Sequence, residues 1–290
     1  MANARGWRAC GEAELQAKAI RDDGGPRGEM EEGMWARRAA QCPHAVELLT
    51  LAALMEIVEA GDLFARVDIQ DHSDTRIESM PIEEMVEQHR KRVEQGLGWL
   101  ETAIAESARR GHRPPRDALF YRAYALTALG RVEEARKAID IAIAVGDTQR
   151  WRTERMAAVI ELLSGDTEAA LRRAHRGVAD APASDRPISR FIRALVLDRA
   201  GAPARARAEL IALRREGSDT RLRNAMETVL PVYERLFFRA LYHQAQGNTS
   251  PALRLWDMYL ARPEPAEPER VLAQRHLDEL TPPPPPVEGP

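Results

Sequence analysis

The residues of this sequence that could bind a metal or take part in catalysis are few, and the densest group lies between residues 67 and 80. This segment carries Asp68, Asp71, His72 and Asp74, and carboxylate and imidazole groups are common ligands of cations. It lacks, however, the central glycine and the terminal glutamate of a calcium-binding loop. We therefore predict a solvated acidic loop that holds no metal.

No catalytic motif stands out elsewhere in the chain. The seven histidines are scattered, none forms an HExxH pair, and no serine or cysteine lies in a nucleophile motif. A glycine-rich phosphate-binding loop is also missing from the sequence. Cys10 and Cys42 are too few and too irregularly placed for a disulfide framework or a zinc site, so we expect two unpaired thiols. The sequence predicts a protein that is not an enzyme and that uses no cofactor and no metal.

The charge balance argues against nucleic acid as a partner. The chain has 42 Lys and Arg residues against 45 Asp and Glu, and a net charge of −3, whereas a phosphate-binding surface normally shows a basic excess. All but three of the basic residues are arginine, which we interpret as the coding bias of a GC-rich bacterial genome. No stretch approaches the ~18 consecutive apolar residues of a membrane span. We expect no membrane insertion and a cytoplasmic protein.

The elements that would position any site are helical. Aromatic residues make up only 5% of the chain, and its richness in alanine, leucine, arginine and glutamate is typical of closely packed helices. Residues 1–34 are polar and predict a flexible arm with a loose helix over Ala13–Arg21. Apolar spacing then predicts a helix over His44–Ala60 that ends at Gly61, and a long helix from Pro81 to about Arg110.

From Asp117 onward the sequence is periodic. Four glycines, spaced 35, 36 and 46 residues apart, lie in short turns between helical stretches. An alanine lies seven residues before each glycine, and another lies five residues after it. A glycine can end a helix in the left-handed conformation, and small residues let two helices approach closely. The pattern predicts antiparallel helix pairs that must stack on one another to bury their faces. The glycines are Gly130, Gly165, Gly201 and Gly247, and the alanines are Ala123, Ala158, Ala194, Ala240, Ala135, Ala170, Ala206 and Ala252.

This pattern resembles the tetratricopeptide repeat, whose period is about 34 residues. The best match runs from Ala118 to Ala135, and the segments Phe191–Leu197 and Phe237–Leu241 repeat its central part. The resemblance covers residues 117–263. It implies an all-α fold, an α-solenoid of antiparallel helix pairs with a right-handed superhelical twist.

The repeats depart from the family pattern in identifiable places. Glu154, Glu161 and His243 occupy positions where the family prefers large apolar residues, which predicts distortion or a shifted alignment in the second and fourth units. About 11 extra residues precede the fourth unit, and we predict a lengthened helix over 225–230 that bends at Pro231. A recurring arginine is expected to pair with neighbouring glutamates rather than bind a ligand. It occurs as Arg122, Arg193 and Arg239.

In similar repeats the first helix of each pair lines a concave groove in which ligands lie. The resemblance therefore implies a non-catalytic scaffold or adaptor that binds a partner protein or peptide there. The same stripe of side chains could equally be ordinary packing between repeats. The lysine and asparagine set with which some family members clamp a C-terminal carboxylate is absent. The groove residues implied are Phe120, Tyr124, Arg152, Arg155, Phe191, Leu195, Phe237 and Leu241.

A second function stays open beside the adaptor, that of a structural subunit packed permanently into a larger multiprotein assembly. An adaptor should be a stable monomer with Phe120, Phe191 and Phe237 exposed, whereas a subunit should aggregate when expressed alone. The sequence favours no particular partner or oligomeric state. The predicted parts are a flexible N-terminal arm (1–34), divergent helical pairs (35–116), four repeats (117–263), a C-terminal helix (264–280) and a proline-rich disordered tail (281–290).

Overall fold

The computed structural model of the chain describes residues 2–22, 34–70, 82–146, 149–217 and 230–281. Within these ranges it has thirteen α-helices and no β-strand, so the predicted all-α class is confirmed. Upstream of the repeats lie α1 (Ala2–Asp22), α2 (Met34–Gln41), α3 (Val46–Gln70) and α4 (Ile82–Arg109). The repeats contain α5 (Arg116–Ala128), α6 (Val132–Val145), α7 (Arg150–Leu163), α8 (Thr167–Asp180), α9 (Arg186–Arg199), α10 (Pro203–Arg215), α11 (Val232–Ala245) and α12 (Thr249–Leu260), and α13 (Glu267–Leu280) follows them.

The four predicted glycines each end the first helix of a pair. Each has a positive φ, between 72° and 85°, a conformation that side chains with a Cβ seldom adopt. At the first turn, the Arg131 N–H donates to the carbonyl of Leu126 and the Gly130 N–H donates to that of Thr127. These two hydrogen bonds satisfy carbonyl groups at the end of α5. The chain reverses there because the turn costs little and leaves few backbone groups unpaired.

The alanine columns lie where the two helices of each pair meet. All eight of these alanines are fully buried, because only a methyl group fits where the helix axes approach so closely. The pairs are α5 with α6, α7 with α8, α9 with α10, and α11 with α12. The first helices α5, α7 and α9 also contact one another in turn. Their shared surface is called the first-helix face below.

The helices upstream continue the same stack. The pair α3 and α4 packs together, and α4 packs on α5. The helix predicted to end at Gly61 instead runs on to Gln70, so that prediction is wrong. A glycine inside a helix costs only about 1 kcal/mol relative to alanine, and packing of this face on α4 offsets that cost. At the other end of the stack, α13 packs on α12 and α11.

Several predicted segments lie wholly or partly outside the described residues. The acidic loop predicted over residues 67–80 is helical as far as Gln70, and residues 71–81 lie outside. The predicted lengthened helix falls mainly on residues 218–229, which are also outside, and α11 begins at Val232 directly after Pro231. The same holds for residues 282–290 of the proline-rich tail and for residues 23–33 of the predicted arm.

The two cysteines are paired, so the prediction of unpaired thiols is wrong. A disulfide joins Cys10 and Cys42, whose Cα atoms are 5.6 Å apart. The pairing follows from α1, which begins earlier than the helix predicted for this arm and packs along α3 with Ala17 fully buried. Residues 32 positions apart therefore meet in a small core beside Trp35. The contact was missed because the sequence predicts a flexible arm there, and a flexible arm would not hold Cys10 beside Cys42.

Ion pairs between helices account for the acidic residues that depart from the repeat pattern. Glu154 is only 2% exposed, and its carboxylate lies 3.1 Å from the guanidinium groups of both Arg173 and Arg176 on α8. Glu161 pairs in the same way with Arg136 on α6, at 3.0 Å. The second unit is therefore a regular helix pair in which arginines of neighbouring helices neutralise the buried carboxylates. Distortion is not needed to explain its sequence.

Arg122 and Arg193, two of the recurring arginines, each pair with a glutamate of a neighbouring helix. The Arg193 side chain donates to Glu209 on α10, with an Nε–Oε2 distance of 2.9 Å. Arg122 lies 3.5 Å from the Glu101 carboxylate on α4. Both pairs link adjacent helices of the stack, so these arginines have a structural role.

Candidate functional site

The eight side chains predicted to line a groove all lie on the first helices of the repeats, but most of them are buried. Phe191 and Phe237 are 1% and 0% exposed. The expectation of an exposed aromatic column is therefore wrong, and for these two rings the packing interpretation is the correct one. Arg152 is half-buried, in contrast to the other seven. The remaining buried members are Phe120, Tyr124, Arg155, Leu195 and Leu241.

Phe237 shows why the periodic pattern misled. Its ring makes edge contacts with Trp256 and Tyr259 of α12, at centroid distances of 4.8 and 5.2 Å. The guanidinium carbon of Arg199 lies 4.1 Å from the same ring centroid, and His276 of α13 lies at 6.2 Å. A helical period marks the apolar face of α11, but it does not indicate that α12 and α13 cover that face.

Of the eight predicted groove residues, Arg152 and Arg155 at the start of α7 remain candidates for binding a partner. The Arg152 guanidinium lies over the rings of Phe120 and Tyr121 on α5, 4.7 and 5.7 Å from their centroids. It donates to the Tyr121 hydroxyl at 3.0 Å and to Gln149 Oε1 at 2.7 Å. Both acceptors are neutral. Among the described residues, no carboxylate comes within ion-pair distance of Arg152.

Arg155 lies one turn further along α7, on the same side of the helix. It is 9% exposed, and its guanidinium carbon lies 5.1 Å from the Trp151 ring centroid. Its Nη1 atom is buried and has no hydrogen-bond partner. No carboxylate of the described chain forms an ion pair with it. The stacking on Trp151 is favourable, but it provides no acceptor for the in-plane N–H groups of Nη1.

The pKa values of Arg155 and Tyr121 depend on burial and on the positive charges of the arginine pair. Burial lowers the pKa of Arg155 to about 10, and the nearby positive charge of Arg152 contributes in the same direction. Asp185, just before α9, raises that pKa, but it is not hydrogen-bonded to Arg155. Burial likewise raises the pKa of the Tyr121 hydroxyl, and the charge of Arg152 opposes this. The site therefore has a net positive charge in a poorly hydrated setting.

The rest of the fold holds α7 firmly behind these arginines. Gly177 of α8 lies so close that an added Cβ would be 3.4 Å from the backbone nitrogen of Arg155 and 3.6 Å from the Trp151 carbonyl oxygen. On its α8 side, α7 is fixed by the ion pairs of Glu154 described above. The arginine pair thus projects from a rigid helix, as expected of a preformed binding site.

Sequence reasoning missed three contributors to this site, namely Tyr121, Trp151 and Gln149. Tyr121 and Trp151 are half-buried and flank residues that the pattern did single out. A signal was present for Trp151, since it lies four residues before Arg155, a spacing that brings side chains together on a helix. Nothing in the sequence marked Gln149, which precedes α7.

The described residues contain neither a membrane-spanning helix nor a metal-binding cluster. None of the described helices is long and apolar enough to cross a membrane. Within the same residues, no cluster of three or more His, Cys, Asp or Glu side chains is arranged to hold a metal ion.

Comparisons with known proteins give similar structures only. No protein-family model matches the chain, and no curated protein matches it. One similar solved structure is YrrB, described as a tetratricopeptide repeat protein with an unusual peptide-binding site. It is 12% identical, with a TM-score of 0.40 over 83% of this chain and 96% of that one. Another is a tetratricopeptide repeat protein from Parabacteroides merdae, 13% identical, with a TM-score of 0.40 over 94% of this chain and 99% of that one.

The fold is defined by the helix order, the glycine turns and the buried alanines where paired helices meet. It does not depend on the similarity to these two structures. Each unit is an antiparallel helix pair that contacts its neighbours in sequence order, and each turn has its glycine in the left-handed region. The chain is an α-solenoid of tetratricopeptide-like helix pairs.

Proposed function

We propose that this protein is a non-catalytic interaction scaffold that binds a segment of a partner protein on the first-helix face, around the start of α7. The observation that carries the proposal is the pair Arg152 and Arg155. These two cations lie on one side of a fixed helix among aromatic rings, and no described carboxylate pairs with either. Arginine with tyrosine and tryptophan is the composition that dominates the energetically important centres of protein interfaces.

Stability does not explain this arrangement. A guanidinium taken out of water loses hydration, and an ion pair or a full set of acceptors must offset that loss. Elsewhere in the stack the offset is present, as at Arg193 with Glu209 and at Arg173 with Glu154. Since neither Arg152 nor Arg155 forms such an ion pair with a described residue, we attribute the pair to binding rather than to folding. The concave groove implied by the repeat resemblance corresponds to this same face.

A peptide selection tests the proposal. Random 12-residue peptides displayed on phage are selected against the immobilised full chain, and the affinity of the best is measured by fluorescence anisotropy. We expect Arg152→Ala to weaken binding at least 10-fold. Arg172→Ala is the matched control, because Arg172 lies on α8, is more than half exposed and pairs with Glu168. Recovery of no peptide, or equal binding to wild type and Arg152→Ala, would contradict the proposal.

A further inference from the structure

The helix α1 packs on α2 and α3 through a narrow stripe of small side chains. Between residues 9 and 20, Ala17 is the one side chain that is fully buried, and Cys10 and Ile20 are half-buried on the same side of the helix. Leu15, by contrast, is 71% exposed. A stripe of this kind buries little apolar surface, so packing alone holds α1 in place only weakly.

The surface beneath α1 is apolar. Residues 48–53 of α3 are all buried, and six consecutive positions span every side of a helix. The helix α4 alone cannot cover every side of α3, and α1 and α2 pack on α3 as well. Ala17 belongs to a cluster with Trp35, Leu48 and Leu49, each at most 2% exposed. Without α1, this end of the stack would expose apolar side chains, whereas terminal units of helical repeats normally present a polar outer face.

The disulfide between Cys10 and Cys42 fastens α1 in this position. It joins residues 32 positions apart, so it removes much of the freedom with which α1 could otherwise separate from α3. Arg38 of α2 also donates to Gln16 Oε1 at 3.0 Å, but both side chains are exposed and can bond to water instead. The main core of the stack is a separate cluster. Breaking the S–S bond should therefore free α1 while the repeats stay folded.

A reductant can reach the bond from the Cys10 side. Cys10 is half-buried between the exposed residues Ala9 and Gly11, whereas Cys42 is 8% exposed. A thiolate of a dithiol reductant attacks Cys10 Sγ, the S–S bond breaks, and Cys42 leaves as a thiolate. The second thiol of the reductant then displaces Cys10 from the mixed disulfide. Two electrons pass to the cysteine pair, two protons end on its sulfurs, and the dithiol becomes a disulfide.

We propose that Cys10 and Cys42 form a redox switch that controls whether α1 is docked. In the oxidised protein α1 covers the end of the stack formed by α2 and α3. Reduction by a dithiol releases α1 and uncovers the apolar surface around Trp35, and reoxidation docks it again. The switch acts at the N-terminal end of the stack and does not depend on partner binding at α7.

Hydrogen exchange of the full chain, measured by mass spectrometry, tests the switch. Oxidised wild type is compared with wild type in dithiothreitol. We expect reduction to speed amide exchange in α1 at least about 10-fold and to leave α7 and α8 unchanged, because local opening of a weakly packed helix does not require global unfolding. Removing the reductant and adding oxidised glutathione should restore the protection of α1.

The double variant Cys10→Ser with Cys42→Ser is the matched control. It should exchange like reduced wild type both with and without dithiothreitol, which separates loss of the bond from other effects of the reductant. Trypsin gives an independent readout, because Lys18 is exposed on α1 and a protease cleaves a helix only after it opens. Reduction of wild type should speed cleavage after Lys18 at least about 10-fold, in step with the open population.

Three results would overturn the switch. Equal exchange of α1 in oxidised and reduced wild type would make the disulfide a passive link. An increase over α7 and α8 as large as that over α1 would make it a fastening of the whole fold. Reaction of both cysteines with N-ethylmaleimide, in protein purified without any reductant, would show that the bond does not form. None of these results bears on peptide binding at α7, so the scaffold function is tested separately.

Discussion

Two arginines of this molecule lie over aromatic rings in nearly buried positions and have opposite surroundings. Arg199, at the end of α9, lies over Phe237 and is enclosed by the carboxylates of Glu234 and Glu269. Arg155, on α7, lies over Trp151, and no carboxylate of the described residues forms an ion pair with it. Burial lowers the pKa of both groups, but at Arg199 the neighbouring negative charges outweigh burial and the net shift is upward, whereas at Arg155 the pKa falls to about 10.

The difference shows how position in a stack of repeats separates structural from binding residues. Arg199 links α9 to α11 and to α13, which closes the C-terminal end of the stack. Next to it, His276 of α13 lies 3.1 Å from the buried carboxylate of Asp198, so a second polar contact joins α9 to α13 at the same junction. Among the described residues, Arg155 forms no ion pair with another helix. The same residue type therefore fastens helices in one repeat and stays without a counter-charge in another.

The largest expected effect is at the paired arginine. Glu234→Gln leaves Arg199 without its fully buried partner, and removing one member of a buried ion pair typically costs about 3–5 kcal/mol. We expect a loss of that size in the free energy of unfolding, measured by urea denaturation. The double variant Arg199→Met with Glu234→Leu removes both charges and should recover much of the loss. A single variant as stable as wild type would show that the pair is not structural.

Overpacking at the alanines where paired helices meet should have the next largest effect on the free energy of unfolding. Ala158 lies on α7 and Ala194 on α9, and both are fully buried. Changing either to leucine should destabilise the chain by about 1–3 kcal/mol. Similar losses at the two sites would show that α7, which carries Arg155, is as tightly packed as α9, which carries Arg199. An unchanged melting temperature for Ala158→Leu would mean that α7 is not rigid, contrary to a preformed site.

A more gradual effect, spread over several pH units, concerns a third buried basic group, His89 of α4, which is 3% exposed and lies 3.4 Å from Arg235. Burial, together with the positive charge of Arg235, lowers the pKa of His89 to about 3, so the imidazole stays neutral in the folded protein. The unfolded chain binds a proton near pH 6.5, and stability is therefore lost as the pH falls from about 6.5 towards 3. Each pH unit in this window removes up to about 1.4 kcal/mol.

The variant His89→Gln isolates that contribution. Between pH 6.5 and 5, where few carboxylates titrate, its unfolding free energy should depend less steeply on pH than that of wild type. Identical slopes would show that His89 does not remain neutral beside Arg235.

Local signals in the sequence were enough to predict the repeat architecture. A left-handed glycine and a buried alanine are each fixed by the residues of one helix hairpin, so Gly130 and Ala123 could be read from spacing alone. Contacts between distant segments could not be predicted in this way. The disulfide of Cys10 with Cys42 depends on how α1 docks, and the burial of Phe237 depends on helices that follow it in the chain.

The candidate site was predictable only in part for the same reason. Arg155 was singled out by its position ten residues before Gly165, and Arg152 as a second arginine expected to cross the same groove. Which arginine has a carboxylate partner depends on the neighbouring helices, as the Glu234 and Glu269 contacts of Arg199 show. A pattern along one helix marks where a charge lies, but it does not reveal whether the fold neutralises that charge.

The most direct test of this contrast is the unfolding free energy of two matched variants, Arg155→Met and Arg199→Met, in the full chain without a ligand. Methionine keeps a long apolar side chain and removes the charge in both cases. We predict that Arg199→Met loses about 3–5 kcal/mol, because it leaves Glu234 buried without its partner. Arg155→Met should lie within about 1 kcal/mol of wild type, since the lost stacking on Trp151 offsets the relief of an uncompensated buried charge. A loss of about 3 kcal/mol or more at Arg155 would contradict the account, because it would make that arginine a structural residue like Arg199.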